Sequence, residues 1–239
     1  MTFDGTQKTI GYGAQAEVLL YHGFAYKVYK SSYPAEWIAF EKEQQKAVNT
    51  AGLCPVKYYD TDDTHIIKMD FVEGDTLEKK MRDMMIAKAE LSKVTEGFDI
   101  LARAFRFVHQ ADTTGTTIPN LIDTAGMGLS EEEKAVVLPT IEHLSKKFSS
   151  CICHLDMHFL NLMLVPSKTD FTIIDWMNAR LAPPVFDYAR TYVIFNEFAK
   201  DALELYRNAV RQDILELGIS DEDFAAAVKV CTILREHEK

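Results

Sequence analysis

Apolar and polar residues alternate in short runs over the first 72 positions, and turn residues separate the runs, a pattern typical of antiparallel strands. Strands are predicted at 8–12, 16–22, 24–30, 56–59 and 65–72. Between the third and the fourth, Pro34 begins a helix whose apolar positions recur at helical spacing from Trp37 to Ala51, and Gly52 ends it. The pattern therefore predicts a five-stranded antiparallel sheet with one inserted helix.

After Gly74 the apolar positions mostly follow the period of amphipathic helices. Helices are predicted at 77–85, 95–110, 131–148, 187–199, 201–217 and 221–236. Ser130 and the acidic residues after it have the pattern of a capping box, and Ser220 is expected to cap the last helix. The stretch 150–175 interrupts the helices and predicts a strand, a loop and two further strands joined by a turn at 166–170.

Composition and charge exclude several classes of protein. Of the 239 residues, 47% are hydrophobic and 26% are charged, as in an ordinary globular protein. The net charge of −10 disfavours nucleic acids and anionic membranes as partners, since both require basic patches. No window approaches the roughly 20 apolar residues of a membrane span. The four cysteines lack the spacing of zinc or thioredoxin motifs, so we expect reduced core thiols and a cytoplasmic protein.

The strongest chemical signal lies in residues 154–161 (HLDMHFLN) and 171–176 (FTIIDW). Phosphoryl transfer needs one carboxylate that orients the acceptor hydroxyl and accepts its proton, and an amide oxygen and a second carboxylate that hold Mg²⁺. Asp156, Asn161 and Asp175 supply these groups. The predicted hairpin would bring Asn161 and Asp175 together although they are distant in sequence.

These motifs resemble the protein-kinase-like superfamily, and most closely its branch of aminoglycoside phosphotransferases and choline kinases. The signature of that branch is His-Gly-Asp, four further residues, Asn, and then Ile-Asp-Trp. The resemblance implies a two-lobed α+β fold, with a five-stranded antiparallel sheet and one helix in the N-lobe (1–72) and a mainly helical C-lobe (73–239). It also implies structural support of the catalytic loop by His154 and Asp187.

The same resemblance implies an enzyme that moves the γ-phosphate of ATP or GTP, with Mg²⁺, to a hydroxyl of a small molecule. In residues 10–18 (IGYGAQAEV), Gly11 and Gly13 are expected to lie over the nucleotide phosphates, and Ala16 stands where a third glycine is usual. Lys27 in the third strand is expected to reach those phosphates.

Two further nucleotide contacts are expected. The acidic partner of Lys27 should come from the first helix, where Glu43 is favoured because it lies four residues before Ala47, and Glu41 is the alternative. Residues 68–74 (KMDFVEG) resemble the hinge between the lobes, with the backbone of Asp70 and Val72 facing the adenine.

The acceptor is less well defined. Leu155 replaces the usual glycine, and only a short segment follows Trp176 where protein kinases have a long activation segment, so a small molecule is expected. Acidic residues of the later helices could attract a cationic acceptor or form a solvated face; they are Asp201, Glu204, Asp213 and Glu216. The alternative function is a non-catalytic nucleotide-binding protein of kinase descent, which Ala16 and Leu155 motivate. The sequence leaves the acceptor, the choice of ATP or GTP, and the oligomeric state open.

Overall fold

The computed structural model describes residues 1–88, 90–165 and 170–238. Its first five strands are β1 (Lys8–Tyr12), β2 (Ala16–Tyr21), β3 (Phe24–Tyr29), β4 (Tyr58–Tyr59) and β5 (Ile66–Asp70). They form one antiparallel sheet in the order β1-β2-β3-β5-β4. The predicted five-stranded sheet is confirmed, and β3 is its central strand. Lys27 lies there between Val18 of β2 and Ile67 of β5.

Helix α1 (Ala35–Thr50) packs a partly polar face against the sheet. Its buried residues include Ile38, Glu41 and Val48 at helical spacing, whereas Trp37 is 37% exposed. The apolar face predicted from Trp37 is therefore rotated relative to the real one. The reason is that buried glutamine amides satisfy backbone carbonyls: Gln44 donates to Ala179 O at 2.7 Å, as its neighbour does to Val56 O.

The rest of the chain is mainly helical. Its helices are α2 (Leu77–Ile86), α3 (Leu91–His109), α4 (Leu121–Thr124), α5 (Glu131–Lys147), α6 (Pro184–Phe198), α7 (Leu203–Glu216) and α8 (Asp221–Glu236). Complete capping boxes at Ser130 and Ser220 begin α5 and α8 as expected. The core holds large fully buried rings, among them Phe105, Tyr188 and Tyr206. No described helix is long and apolar enough to cross a membrane.

Five short strands position the loops between these helices. They are β6 (Asp75–Thr76), β7 (Cys151–Cys153), β8 (Leu162–Leu164), β9 (Phe171–Ile173) and β10 (Arg180–Ala182). The β8–β9 pair is the predicted hairpin, and β6 joins its outer edge. The turn expected at 166–170 lies outside the described residues except for Asp170. Pairing of β7 with β10 was not predicted, because three-residue strands carry too little pattern.

Some predicted boundaries are wrong. Helix α3 begins at Leu91 rather than Thr95, and α6 begins at Pro184 rather than Asp187. Pro184 occupies the first turn of α6, where its missing N–H is not needed. Asp187 consequently lies one turn inside α6, and its carboxylate does not cap the helix.

Candidate active site

The β8–β9 hairpin brings Asn161 and Asp175 together. Leu162 pairs with Ile173, and Ile174 N donates to Asn161 O at 3.0 Å. The two side chains therefore extend from neighbouring backbone positions at one end of the hairpin. Asp175 has φ +63°, a left-handed conformation that Asp tolerates better than most residues. Both residues line a cleft of about 1570 Å³ between the sheet and the helices.

Asp156 lies in the loop after β7 and faces the same cleft. Asn161 Nδ2 donates to Asp156 O at 2.9 Å and to Asp156 Oδ2 at 3.1 Å. His158 Nε2 is 3.6 Å from the same carboxylate oxygen. Burial opposes the charged form of Asp156, but His158, together with His154 and Arg190, outweighs burial, so the pKa of Asp156 lies below its usual value. Asp156 is consequently a carboxylate at neutral pH, as a general base must be.

The loop that carries Asp156 is held by hydrogen bonds to Asp187, which is fully buried. Its carboxylate accepts from His154 N at 3.0 Å, from Leu155 N at 2.9 Å and pairs with His109 Nε2 at 3.0 Å. Leu155 has φ +57°, the left-handed region that favours glycine. The usual glycine at this position therefore has a conformational reason, and the Asp187 contacts hold Leu155 in the strained geometry.

His154 connects the loop to the hairpin. Its Nε2 lies 3.1 Å from Ile174 O, and Asp156 N donates to its Nδ1 at 3.2 Å. Burial lowers the pKa of His154, so the ring is neutral at physiological pH. A ring that both donates to Ile174 O and accepts from Asp156 N has no nitrogen left to act as a base. These contacts fit the structural support expected of His154.

Lys27 lies opposite these residues. Its Nζ donates to Glu41 Oε1 at 2.8 Å and to Asp175 Oδ1 at 3.3 Å. Glu43 was expected to be the partner, and that prediction is wrong: Glu43 is exposed and Glu41, the alternative, is buried. Burial opposes the ammonium, yet Asp175 and Glu41 raise the pKa of Lys27 well above its usual value. Lys27 is therefore a fixed positive charge at the cleft.

Glu41 is held by more than the lysine. The hydroxyls of Tyr29 and Tyr58 both donate to its carboxylate, Tyr58 to Oε1 at 3.3 Å. Glu41 is only 1% exposed. The sequence analysis missed the two tyrosines. The alternation of inward and outward positions along the strands could have indicated them, because a tyrosine hydroxyl at an inward position needs a hydrogen-bond partner.

The glycine turn and the hinge segment line the opposite wall of the cleft. Gly13 N donates to Ala16 O at 2.8 Å, and this bond closes the turn between β1 and β2. A Cβ on Gly13 would meet only Ala16 O, at 3.4 Å, so a ligand close to the turn would be the stronger reason for glycine there. Gly11, Asp70 and Val72 also line the cleft. The Asp70 carboxylate bonds elsewhere, to Lys57 N at 2.9 Å.

The donor atoms around the hairpin end suit a hard divalent cation. Asn161 uses its Nδ2 for Asp156, so its Oδ1 is the atom suited to a metal. The Asp175 side chain is 44% exposed and contacts Lys27 through Oδ1. A set of carboxylate and amide oxygens fits Mg²⁺, which keeps several waters and needs few protein ligands.

Basic residues at the far end of the cleft were not predicted. Arg180, Arg190 and Arg235 line it, together with Glu238 near the C-terminus. They come from β10, α6 and α8, so no local motif indicates that they meet. The four acidic residues considered for a cationic acceptor, all within the described part of the chain, do not line the cleft, and Asp213 is bound to Arg106 at 2.9 Å.

Comparison with known proteins agrees with this geometry. A model of the phosphotransferase enzyme family matches residues 13–218. No curated protein matches the chain significantly by sequence. Similar solved structures include the Plasmodium vivax ethanolamine kinase (TM-score 0.62, 14% identity, 95% of this chain and 73% of that one). For the Streptomyces rimosus aminoglycoside phosphotransferase APH(3'')-Id the TM-score is 0.61 and the identity is 17%, over 97% of this chain and 93% of that one. For choline kinase LicA from Streptococcus pneumoniae the TM-score is 0.57 and the identity is 17%, over 98% of this chain and 86% of that one. At these identities the structures show a shared kinase-like fold.

Proposed function

Because the chain belongs to the phosphotransferase enzyme family, we propose that it transfers the γ-phosphoryl group of ATP or GTP to a hydroxyl of a small molecule. One observation carries the proposal. Asp156, Asn161 and Asp175 line one cleft, and Lys27 reaches Asp175 across it. Phosphoryl transfer depends on such positioning and on charge neutralisation more than on covalent chemistry.

Each residue has a role that its surroundings support. Asp156, ionised and facing the cleft, orients the acceptor hydroxyl and takes its proton as the bond to phosphorus forms. Lys27, held by Glu41, neutralises charge on the nucleotide phosphates. Asn161 Oδ1 and the Asp175 carboxylate would hold Mg²⁺, which when bound neutralises the phosphate oxygens and the departing diphosphate.

The nucleotide is proposed to lie between two lobes, residues 1–72 and 73–239. Its phosphates would lie under Gly11 and Gly13, and its base against the backbone of Asp70 and Val72, all of which line the cleft. All four cysteines are free and buried, which fits the cytoplasm proposed as its location, where thiols stay reduced.

A small acceptor is favoured by the short connection after the metal-binding acid. Only eight residues separate Asp175 from the start of α6 at Pro184, and three of them form β10. A docking platform for a protein substrate has no room in that connection. Among the similar structures are an ethanolamine kinase and an aminoglycoside phosphotransferase in complex with ADP and streptomycin, so acceptors of that size are the first to test.

The test is a nucleotide-consumption screen across aminoglycosides, amino alcohols, sugars and hydroxy acids, with Asp156→Asn as the matched variant. Removing a general base lowers turnover by about 10²–10⁴-fold. We expect that loss in Asp156→Asn, with the affinity for Mg-ATP within threefold of the parent protein. Turnover near the parent value would refute the role of Asp156. Tight Mg-ATP binding with no turnover of any acceptor would instead favour the non-catalytic nucleotide-binding protein.

A further inference from the structure

The cleft includes a basic site built by α6, by the last helix and by the residues after it. At the end of α8 the chain turns back, with Glu238 N donating to Arg235 O at 3.3 Å. This turn places the Glu238 carboxylate between Arg235 and Arg190, and all three side chains line the cleft that holds Asp156.

Arg190 is the buried member of this site, with 3% of its surface exposed. Its Nη1 donates to Cys231 O at 3.4 Å, and its Nη2 donates to Glu238 Oε2. Its Nε is buried and has no hydrogen-bond partner among the described residues. A buried donor without an acceptor destabilises the fold. The fork formed by Nε and Nη2 is thus only half used.

Arg235 completes the site from the other side. Its Nη1 donates to Glu238 Oε2 at 3.2 Å, and its Nε donates to Glu197 Oε2 at 3.2 Å. One oxygen of Glu238 therefore serves both arginines. A guanidinium fork binds best to two oxygens of one planar or tetrahedral anion, each accepting one N–H. Glu238 as placed leaves that capacity unfilled.

The site is electrostatically linked to the catalytic carboxylate. Arg190 contributes to the lowered pKa of Asp156, although His158 contributes more. Burial lowers the pKa of Arg180 to about 10 while Glu238 opposes that shift. The acids around this end include Asp156, Glu197 and Glu238, and the bases include the three arginines, His158 and His237, of which His237 is paired with Glu133.

We propose that Arg190 and Arg235 bind an oxyanion group, a carboxylate or a phosphate, on the acceptor, and that Glu238 occupies its place until the acceptor arrives. The inference rests on the proposed function and specifies its substrate class as a hydroxyl compound with a negative charge. Exchange is inexpensive because the Glu238 side chain is 37% exposed and lies in the turn after α8. An incoming anion gains the unused Nε of Arg190, which Glu238 does not reach.

The test measures anion binding directly, by calorimetry on the full chain saturated with ADP and Mg²⁺, so that the nucleotide site is filled. Inorganic phosphate and acetate are the probes, with chloride at matched ionic strength as the reference. The variant Glu238→Gln removes the negative charge of the internal competitor, and we expect it to bind one of the two probes at least tenfold more tightly than the parent chain. Adding Arg235→Gln should abolish that gain. Arg103→Gln, at an exposed arginine outside the cleft, should leave it within twofold.

The two probes distinguish a phosphate from a carboxylate group. Equal binding in all variants, or no binding beyond the chloride reference, would overturn the proposal. So would a turnover screen in which amino alcohols are better acceptors than hydroxy acids or sugar phosphates of the same size. If ADP itself does not bind, the proposed function fails, and the same titrations without nucleotide still report on the arginine site.

Discussion

The pairing of Lys27 with Glu41 can be tested by two single-atom changes on one helix. Glu41→Gln removes the negative charge and keeps the size of the side chain, and it leaves one accepting oxygen in place of two. Glu43→Gln makes the same change two residues away, at the exposed position that the sequence favoured. The pair therefore separates a buried contact from a general effect of charge on α1.

The expected magnitude follows from burial. Breaking a buried ion pair by removing one partner typically destabilises a protein by about 3–5 kcal/mol, because the other charge stays buried. Here Lys27 keeps Asp175 at 3.3 Å, and the glutamine still accepts from a tyrosine. We therefore expect the free energy of unfolding to fall by about 2 kcal/mol in Glu41→Gln. Glu43→Gln should change it by less than about 0.5 kcal/mol, as exposed substitutions do.

Urea denaturation of both variants measures the free energy of unfolding. Titration with Mg-ATP measures the affinity for the nucleotide, which depends on where the Lys27 ammonium is held. Without Glu41, Lys27 is held by Asp175 alone, so the affinity for Mg-ATP should fall by about tenfold or more. An equal loss in both variants would show that helix charge, not the pair, is responsible. A Glu41→Gln protein with unchanged stability and nucleotide affinity would refute the assigned contact.

Three further predictions follow from particular backbone positions and one histidine. Leu155→Gly should be more stable than Leu155→Ala by about 1 kcal/mol in urea denaturation, because only glycine adopts φ +57° without strain. A more stable Leu155→Ala would show that the backbone at this position is not strained. Gly74→Ala would place a Cβ 2.4 Å from Leu164 O, so we expect a loss of about 2 kcal/mol or more, and unchanged thermal stability would contradict it. Burial opposes protonated His109, but Asp187 raises the pKa of the ring above its usual value. The pair therefore stabilises the fold fully below about pH 6.5 and less as pH rises through the folded-state pKa. The free energy of unfolding of the parent protein should exceed that of His109→Gln by less at pH 8.5 than at pH 6. A larger difference at pH 8.5 would contradict a raised pKa of His109.

Features encoded within one element or one hairpin were predicted from the sequence. The sheet follows from apolar runs separated by turns, and the capping boxes at Ser130 and Ser220 follow from a four-residue pattern. The meeting of Asn161 with Asp175 follows from the hairpin, because pairing in register brings its two ends together. Short strands such as β10 were missed, since three residues do not establish a period of two.

Contacts between distant elements follow a different logic, and the partner of Lys27 shows why. Choosing between Glu41 and Glu43 requires the rotation of α1 about its axis, and apolar positions set that rotation only when they dominate the buried face. On α1 the buried face carries Glu41, Gln44 and Gln45, because the sheet and the segment before β10 supply tyrosine hydroxyls and backbone carbonyls that pair with these side chains. A hydrophobic criterion places such residues outside. Polar residues at functional sites are selected for their partners, so the site is where a reading based on burial of apolar groups fails.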